Sequence, residues 1–169
     1  VDPDDAFASP LGWHADAATA FTDTRGNNVL AQEDQNGDDT GGTRPDGGTA
    51  LVFDFAYNPA LPGDAANLDA AITQVFYSTN LAHDIFYNLG FDEAAGNFQT
   101  TNFTGLGLES DPVVVDVYDS LAESITGPAV LPSPDGTPLR MMLGRNQFPS
   151  LGDTNRSASF ANVIVVHEY

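Results

Sequence analysis

The chain has 169 residues, 41% of them apolar, and 24 Asp and Glu against five Arg and no Lys, for a formal net charge of −19. That charge repels nucleic acid and anionic membrane surfaces, so neither is expected as a partner, and the apolar share suffices for a packed core, which excludes wholesale disorder. Cysteine is absent, which excludes disulfides, a thiolate nucleophile and any cysteine-based metal site.

No apolar run is long enough to cross a membrane. The opening Val1-Asp-Pro-Asp-Asp5 lacks both an initiator Met and a basic-then-apolar leader, so a processed or trimmed terminus is expected. Residues 1–50 read as loops, and Gln32 to Gly48 is close to low complexity in Asp, Asn, Gly and Thr. In Leu51 to Tyr57, Phe53, Phe55 and Tyr57 recur at period two, which predicts a strand. A helix is predicted over 67–89, because Leu68, Ile72, Val75, Thr79, Ala82, Phe86 and Leu89 alternate steps of four and three. Asn67 is its expected N-cap, and Gly90 its expected left-handed stop.

Further strands are predicted around Asn97–Phe103, Val113–Tyr118 and Leu139–Leu143. In the middle one, Val113, Val115 and Val117 make one wholly apolar face. The last segment, Ser159 to Tyr169, is open to two readings: Ser159 can cap a helix, whereas Val163 to Val166 is a β-branched run that favours a strand. There is no internal repeat, and one domain over 1–169 is expected.

Three histidines stand at 14, 83 and 167. The pair His167-Glu168 matches the first half of H-E-x-x-H, in which two His four apart grip zinc from one helical face and the Glu serves as general base. The sequence reaches Tyr169, two positions short of a second His, and a dipeptide alone is weak. His83 and Asp84 are helix neighbours that do not face each other, so separate bonds to nearby loops are expected rather than a mutual pair or a second metal site. Trp13-His14 is expected to supply packing and a surface hydrogen bond. Asp34, Asn36 and Asp38 have the alternate spacing of a calcium loop, but an EF-hand needs Gly where Asp39 stands and Glu where Pro45 stands. An irregular calcium site and a solvated acidic loop both remain open there. Asp64, Asp69, Asp111, Asp116 and Asp119 are further oxygen donors whose convergence spacing cannot tell. No phosphate loop or G-x-S-x-G elbow occurs.

In order and spacing, Ser9-Pro-Leu-Gly-Trp-His14, Thr24-Arg-Gly-Asn-Asn-Val29, Arg44-Pro-Asp-Gly-Gly48, Asn80-Leu-Ala-His-Asp-Ile-Phe-Tyr-Asn-Leu-Gly-Phe91, Glu93-Ala-Ala-Gly-Asn-Phe98 and Val166-His-Glu-Tyr169 resemble the fungalysins. These are secreted zinc endopeptidases with a thermolysin-like fold, made as precursors with a propeptide. The resemblance implies that His167 is the first zinc ligand and Glu168 the general base, and that the last segment is helical. It places the remaining ligands in a C-terminal part beyond these residues, so the piece alone is expected to be inactive. It also implies protein or peptide substrates and an extracellular location. In such enzymes an edge strand before the zinc helix pairs with substrate, which points to Ala129 and Val130. Asn-rich sequence usual there is missing, and Pro128 removes a donor, so an ordinary strand is an equal reading.

The expected fold is α+β: a mostly antiparallel sheet with long loops, one long helix and the start of the zinc helix, as in a thermolysin-like N-terminal subdomain. Two other functions stay in view, a non-catalytic scaffold or assembly subunit and a calcium-dependent acidic binding module.

Overall fold

The computed structural model describes residues 3–61, 66–120, 128–144 and 157–169. In chain order the elements are strand β1 (Val29–Glu33), helix α1 (Leu68–Asn88), a 3-10 turn at Glu93–Ala95, strands β2 (Val113–Val117), β3 (Ala129–Leu131) and β4 (Arg140–Leu143), a second 3-10 turn at Ala158–Phe160, and helix α2 (Asn162–Glu168). The α+β class holds. The sheet, however, is not mostly antiparallel: its order is β1-β2-β4-β3, with β1–β2 and β2–β4 parallel and only β3–β4 antiparallel. A parallel neighbour requires a long return path, and the stretch holding α1 provides one between β1 and β2.

Registry sorts the two faces of the sheet. Val29 and Ala31 lie beside Val113 and Val115, and Val115 and Val117 in turn lie beside Met141 and Leu143. All of these are buried, together with Ala71, Ile72, Val75 and Phe76 of α1. The apolar face expected for Val113–Tyr118 is therefore real, and α1 covers it. On the opposite face the rungs carry Gln32 beside Asp116 and Val114 beside Arg140. Loop residues cross that polar face: Arg44 donates to the Gln32 carbonyl oxygen, and Arg140 donates to the Asp39 backbone carbonyl.

Helix α1 runs unbroken past Thr79. Asn67 precedes it as expected but does not cap it. Its side chain instead accepts from the Asn58 N–H at 2.8 Å and donates to the Asn58 carbonyl at 3.0 Å, binding the incoming loop. Two predicted strands do not form. Residues 51–57 stay irregular, because their alternating rings pack on other aromatics: Phe53 stacks on His14 and Tyr57 lies against Phe160. Residues 97–103 are also irregular, since polar side chains buried within that stretch (Asn97, Gln99 and Asn102) demand bonds that a two-faced strand does not supply. No described helix is long and apolar enough to cross a membrane.

Candidate metal-ligand helix

Helix α2 has only seven residues, no side-chain N-cap and a run of valines, so its propensity to form alone is poor. Tertiary contacts hold it at both ends. At its start the Asn162 carbonyl oxygen accepts from Gln74 at 3.0 Å and from Ser78 at 3.1 Å. Val165, in the middle, is fully buried. At its end the Tyr169 ring stacks on Phe86, with centroids 5.6 Å apart, and meets Phe98 and Phe91 edge-on. Asn162 thus lies by Gln74 and Ser78, and Tyr169 by Phe86, so α2 runs alongside α1 in the same direction. The helical reading of this segment is the observed one, and the β-branched run is overridden by packing.

Positions 161, 164, 165, 168 and 169 turn toward the protein, whereas 162, 163, 166 and 167 are exposed. His167 is therefore on the outward face and Glu168 is half-buried. Neither side chain has a hydrogen-bond partner among the described residues. The helix, held at both ends, thus presents the His167 imidazole to the outside, where a nitrogen donor can reach a divalent metal. The Tyr169 hydroxyl is buried with no hydrogen-bond partner. Burial, helped by the charges of Asp84 and Asp111, pushes it far above the usual phenol range.

Beneath Tyr169, the far half of α1 anchors a ring of buried polar side chains. The Asp84 carboxylate accepts from Ser9 Oγ at 2.6 Å, from Trp13 Nε1 at 2.8 Å and from the Asp5 N–H at 2.9 Å. His83 Nδ1 completes its set at 3.0 Å. From His83 the chain of bonds continues through Asn97 to Gln99, Asn28 and back to Ser9. Both side chains do bond neighbouring loops, as expected, but the exclusion of a mutual pair was wrong. Two adjacent side chains driven into one buried space can bend toward each other even though their Cβ atoms diverge. Trp13 is buried, and the His14 bond runs to the Asp23 carbonyl at 2.9 Å. His14 is partly buried between Phe53 and Phe76, and this desolvation lowers its pKa, against the bond and charge of Asp23.

The residues singled out as calcium donors separate. Asn36 donates to Asp38 at 2.8 Å on the exposed side of the loop. Asp34 instead turns inward, where one of its oxygens and one each from Asp39, Asp116 and Asp119 lie within 4.8 Å of one another. Three of these four are buried. Arg140 contacts Asp116 and lies 3.5 Å from Asp39, so it offsets only part of the charge. Of the second acidic group, Asp116 and Asp119 converge here, Asp111 binds the N–H groups of Gln99 and Gly136, Asp69 is exposed, and Asp64 is outside the described residues. Asp39 escaped notice because it stands at the position that disqualifies an EF-hand. Ala129 and Val130 lie in β3, at the edge of the sheet, opposite Met142 and Met141.

The model of the fungalysin metallopeptidases (M36) matches residues 1–169. The "Extracellular metalloproteinase MEP" of Pyricularia oryzae is 34% identical over 180 residues, covering 100% of this chain and 26% of that protein. The "Extracellular metalloproteinase 1" of Trichophyton equinum is 38% identical over 171 residues, covering 100% of this chain and 27% of its own length. The "Probable extracellular metalloproteinase 5" of Trichophyton verrucosum is 38% identical over 163 residues, covering 95% and 25% respectively. The chain thus spans about a quarter of the length of these relatives.

Proposed function

Because this chain belongs to the fungalysin metallopeptidases, we propose that it forms part of an extracellular zinc endopeptidase in which His167 is a metal ligand and Glu168 the general base. The observation that supports this most is the open His167-Glu168 pair on a helix pinned at Asn162 and Tyr169. A histidine four residues after His167 would sit on the same exposed helical face, and a third ligand would come from farther along the polypeptide. Zinc, when bound, supplies Lewis-acid activation of the peptide carbonyl and of water. His167 contributes a neutral nitrogen donor from the outward face of α2. Glu168 takes the proton from the attacking water and can return it to the leaving amine. The free edge of β3 at Ala129 and Val130 offers backbone groups for an extended peptide substrate. In this reading the 169 residues form one domain, a propeptide precedes it in the precursor, and the piece alone is inactive.

Substitutions in the full-length protein test the assignment. His167→Ala should lower both bound zinc and proteolysis. Glu168→Gln should keep zinc near one per chain while turnover falls by about 10² or more. Near-normal proteolysis by Glu168→Gln, or by the 169 residues alone, overturns the reading.

Calcium belongs to the same proposal, now at a different donor set. Asp34, Asp39, Asp116 and Asp119 would hold the ion, supported by the convergence of one oxygen from each within 4.8 Å of the others. Asn36 and Asp38 drop out of it because they bond each other.

A further inference from the structure

Residues 51–57 form no strand, and their rings build a different feature. With Tyr77 of α1 and Phe160 from the turn before α2, Phe53, Phe55 and Tyr57 wall an open groove of about 510 Å³. Every bulky apolar group in it is aromatic, whereas the groove between α1 and α2 is lined mainly by aliphatic side chains such as Leu81, Ile85 and Val166. The rings are held from behind. Phe53 stacks on His14 with centroids 4.9 Å apart, and only a glycine at position 47 admits it, since a Cβ there would lie 2.6 Å from the ring. Tyr57 lies 4.4 Å from Phe160, and Tyr77 meets Trp13 edge-on at 5.4 Å. Tyr57 and Tyr77 nevertheless stay 40% and 44% exposed, so part of each ring is open to a ligand. The buried Thr73 hydroxyl, in the same groove, has no hydrogen-bond partner among the described residues.

Aromatic faces carry negative charge density, so a groove walled by them favours a cation over a neutral apolar group. The surroundings agree in sign. Asp54, between Phe53 and Phe55 in the chain, is exposed, as is Asp69, one helical turn before Thr73. No described arginine lines the groove, and the chain has no lysine. We propose that this groove binds a basic segment of polypeptide, taking an Arg or Lys side chain against its rings, with the Thr73 hydroxyl available to the segment's backbone. The net charge of −19 steers such segments toward the protein. The groove adjoins α2 through Phe160 and through Gln74, which lines it and donates to Asn162. In the peptidase reading above, on which this last step rests, the groove is an exosite that recruits substrates rich in Arg and Lys.

Binding is measured by fluorescence anisotropy on the full-length protein carrying Glu168→Gln, so that the probe is not cut. The probes are a labelled Gly-Ser peptide containing Arg and the same peptide with citrulline, which keeps the shape of Arg without its charge. The Arg peptide should bind at least about fivefold more tightly. Phe55→Leu and Tyr77→Leu keep apolar surface but remove a ring, and each should weaken Arg-peptide binding by about two- to fivefold, the scale of a single cation–π contact. Equal affinity for the two peptides, or no binding of the Arg peptide, overturns the proposal. So does an Arg peptide that binds the double variant as tightly as the parent, which would assign the attraction to diffuse acidic charge. The peptide comparison needs neither ring substitution, so it decides the matter even where a variant fails to fold. Hydrolysis of Arg-rich and neutral substrates by the enzyme with Glu168 intact separates the two readings. Arg-peptide binding by a protein that cleaves nothing retains the groove and sinks the peptidase assignment. Cleavage whose KM for Arg-rich substrates is unmoved by Tyr77→Leu sinks the exosite alone.

Discussion

His83 Nδ1 lies 3.0 Å from the carboxylate of Asp84, its immediate neighbour in the chain, and both side chains are almost wholly buried. With Asn97 Nδ2 3.3 Å from Nε2, the arrangement fits a neutral imidazole that donates from Nδ1 and accepts at Nε2. Asp84 then collects bonds from the start of the chain and from α1 at one point.

Asp84→Asn replaces an acceptor-only group by one that presents donors to Ser9, Trp13, His83 and the Asp5 N–H. We expect a loss of about 3 kcal/mol, and of about 1 kcal/mol for Trp13→Phe, measured by chemical denaturation. Burial pushes the Asp84 carboxyl up, but the bonds from His83, Asp5, Ser9 and Trp13 together outweigh it and hold the group below its ordinary range. Its stabilisation is therefore present above the unfolded value of about 3.9 and is lost as pH falls through the lower folded value. An Asp84→Asn protein as stable as the parent at pH 7 would show that the convergence of donors contributes nothing.

His14 predicts a dependence near neutrality. Burial against Phe53 and Phe76 depresses its pKa, so the unfolded chain takes up a proton first. Its contribution to stability should fall as pH drops below about 6.5 and level off below the folded value. His14→Phe keeps the stacked ring and forfeits the bond to Asp23. Relative to the parent, that variant should gain stability between pH 7 and pH 5; a constant difference between the two melts refutes the assignment.

The acidic cluster predicts a response to cations. Burial pushes the Asp116 carboxyl up to about 6, against bonds from Gln32 and Arg140 and with help from the Asp34 charge. In chelator, stability from this group should decline as pH rises from about 4 through about 6, because the folded form holds its proton longer. Melts in low salt, high salt, and low salt with millimolar calcium should show the midpoint rising in both supplemented conditions. Asp116→Asn should abolish the calcium increment and leave the salt increment. Identical midpoints in all three conditions reject the cation reading.

Tyr169 predicts two substitutions with different outcomes. Tyr169→Phe deletes a buried hydroxyl that has no hydrogen-bond partner, so stability should hold or rise by up to about 1 kcal/mol. Tyr169→Ala removes the ring that holds α2 against Phe86, Phe91 and Phe98, at a cost of about 3 kcal/mol. In the full-length enzyme it should also weaken zinc binding, since His167 sits two residues away. Equal effects of the two variants would mean that the ring does not position the helix.

The sequence disclosed what repeats regularly. Ile72, Val75, Thr79 and Ala82 marked the buried side of α1, and Val113, Val115 and Val117 the covered face of β2. Parallel pairing was invisible, because alternation reports which side is buried and says nothing of strand direction. Phe53, Phe55 and Tyr57 misled for a related reason: period two records a side packed on other rings, whether or not a ladder forms. At the proposed site, His167 and Glu168 were singled out through the family resemblance, since the dipeptide alone is weak, and the structure adds the clamps at Asn162 and Tyr169. The gathering of Asp34 with Asp39, Asp116 and Asp119 spans 85 positions and could be read only from the fold.

The registry of β1 on β2 sets a delay on how this protein can be made. Val29 has its sheet partner at Val113, 84 positions later. A ribosome adding about 5–20 residues per second would leave β1 unpaired for roughly 4–17 s. For the first part of that interval Val29 and Ala31 also lack the surface of α1 that finally covers them, since α1 ends only at Asn88. A chaperone that shelters short apolar segments should therefore raise the yield of native protein more than it would for a fold built from local hairpins.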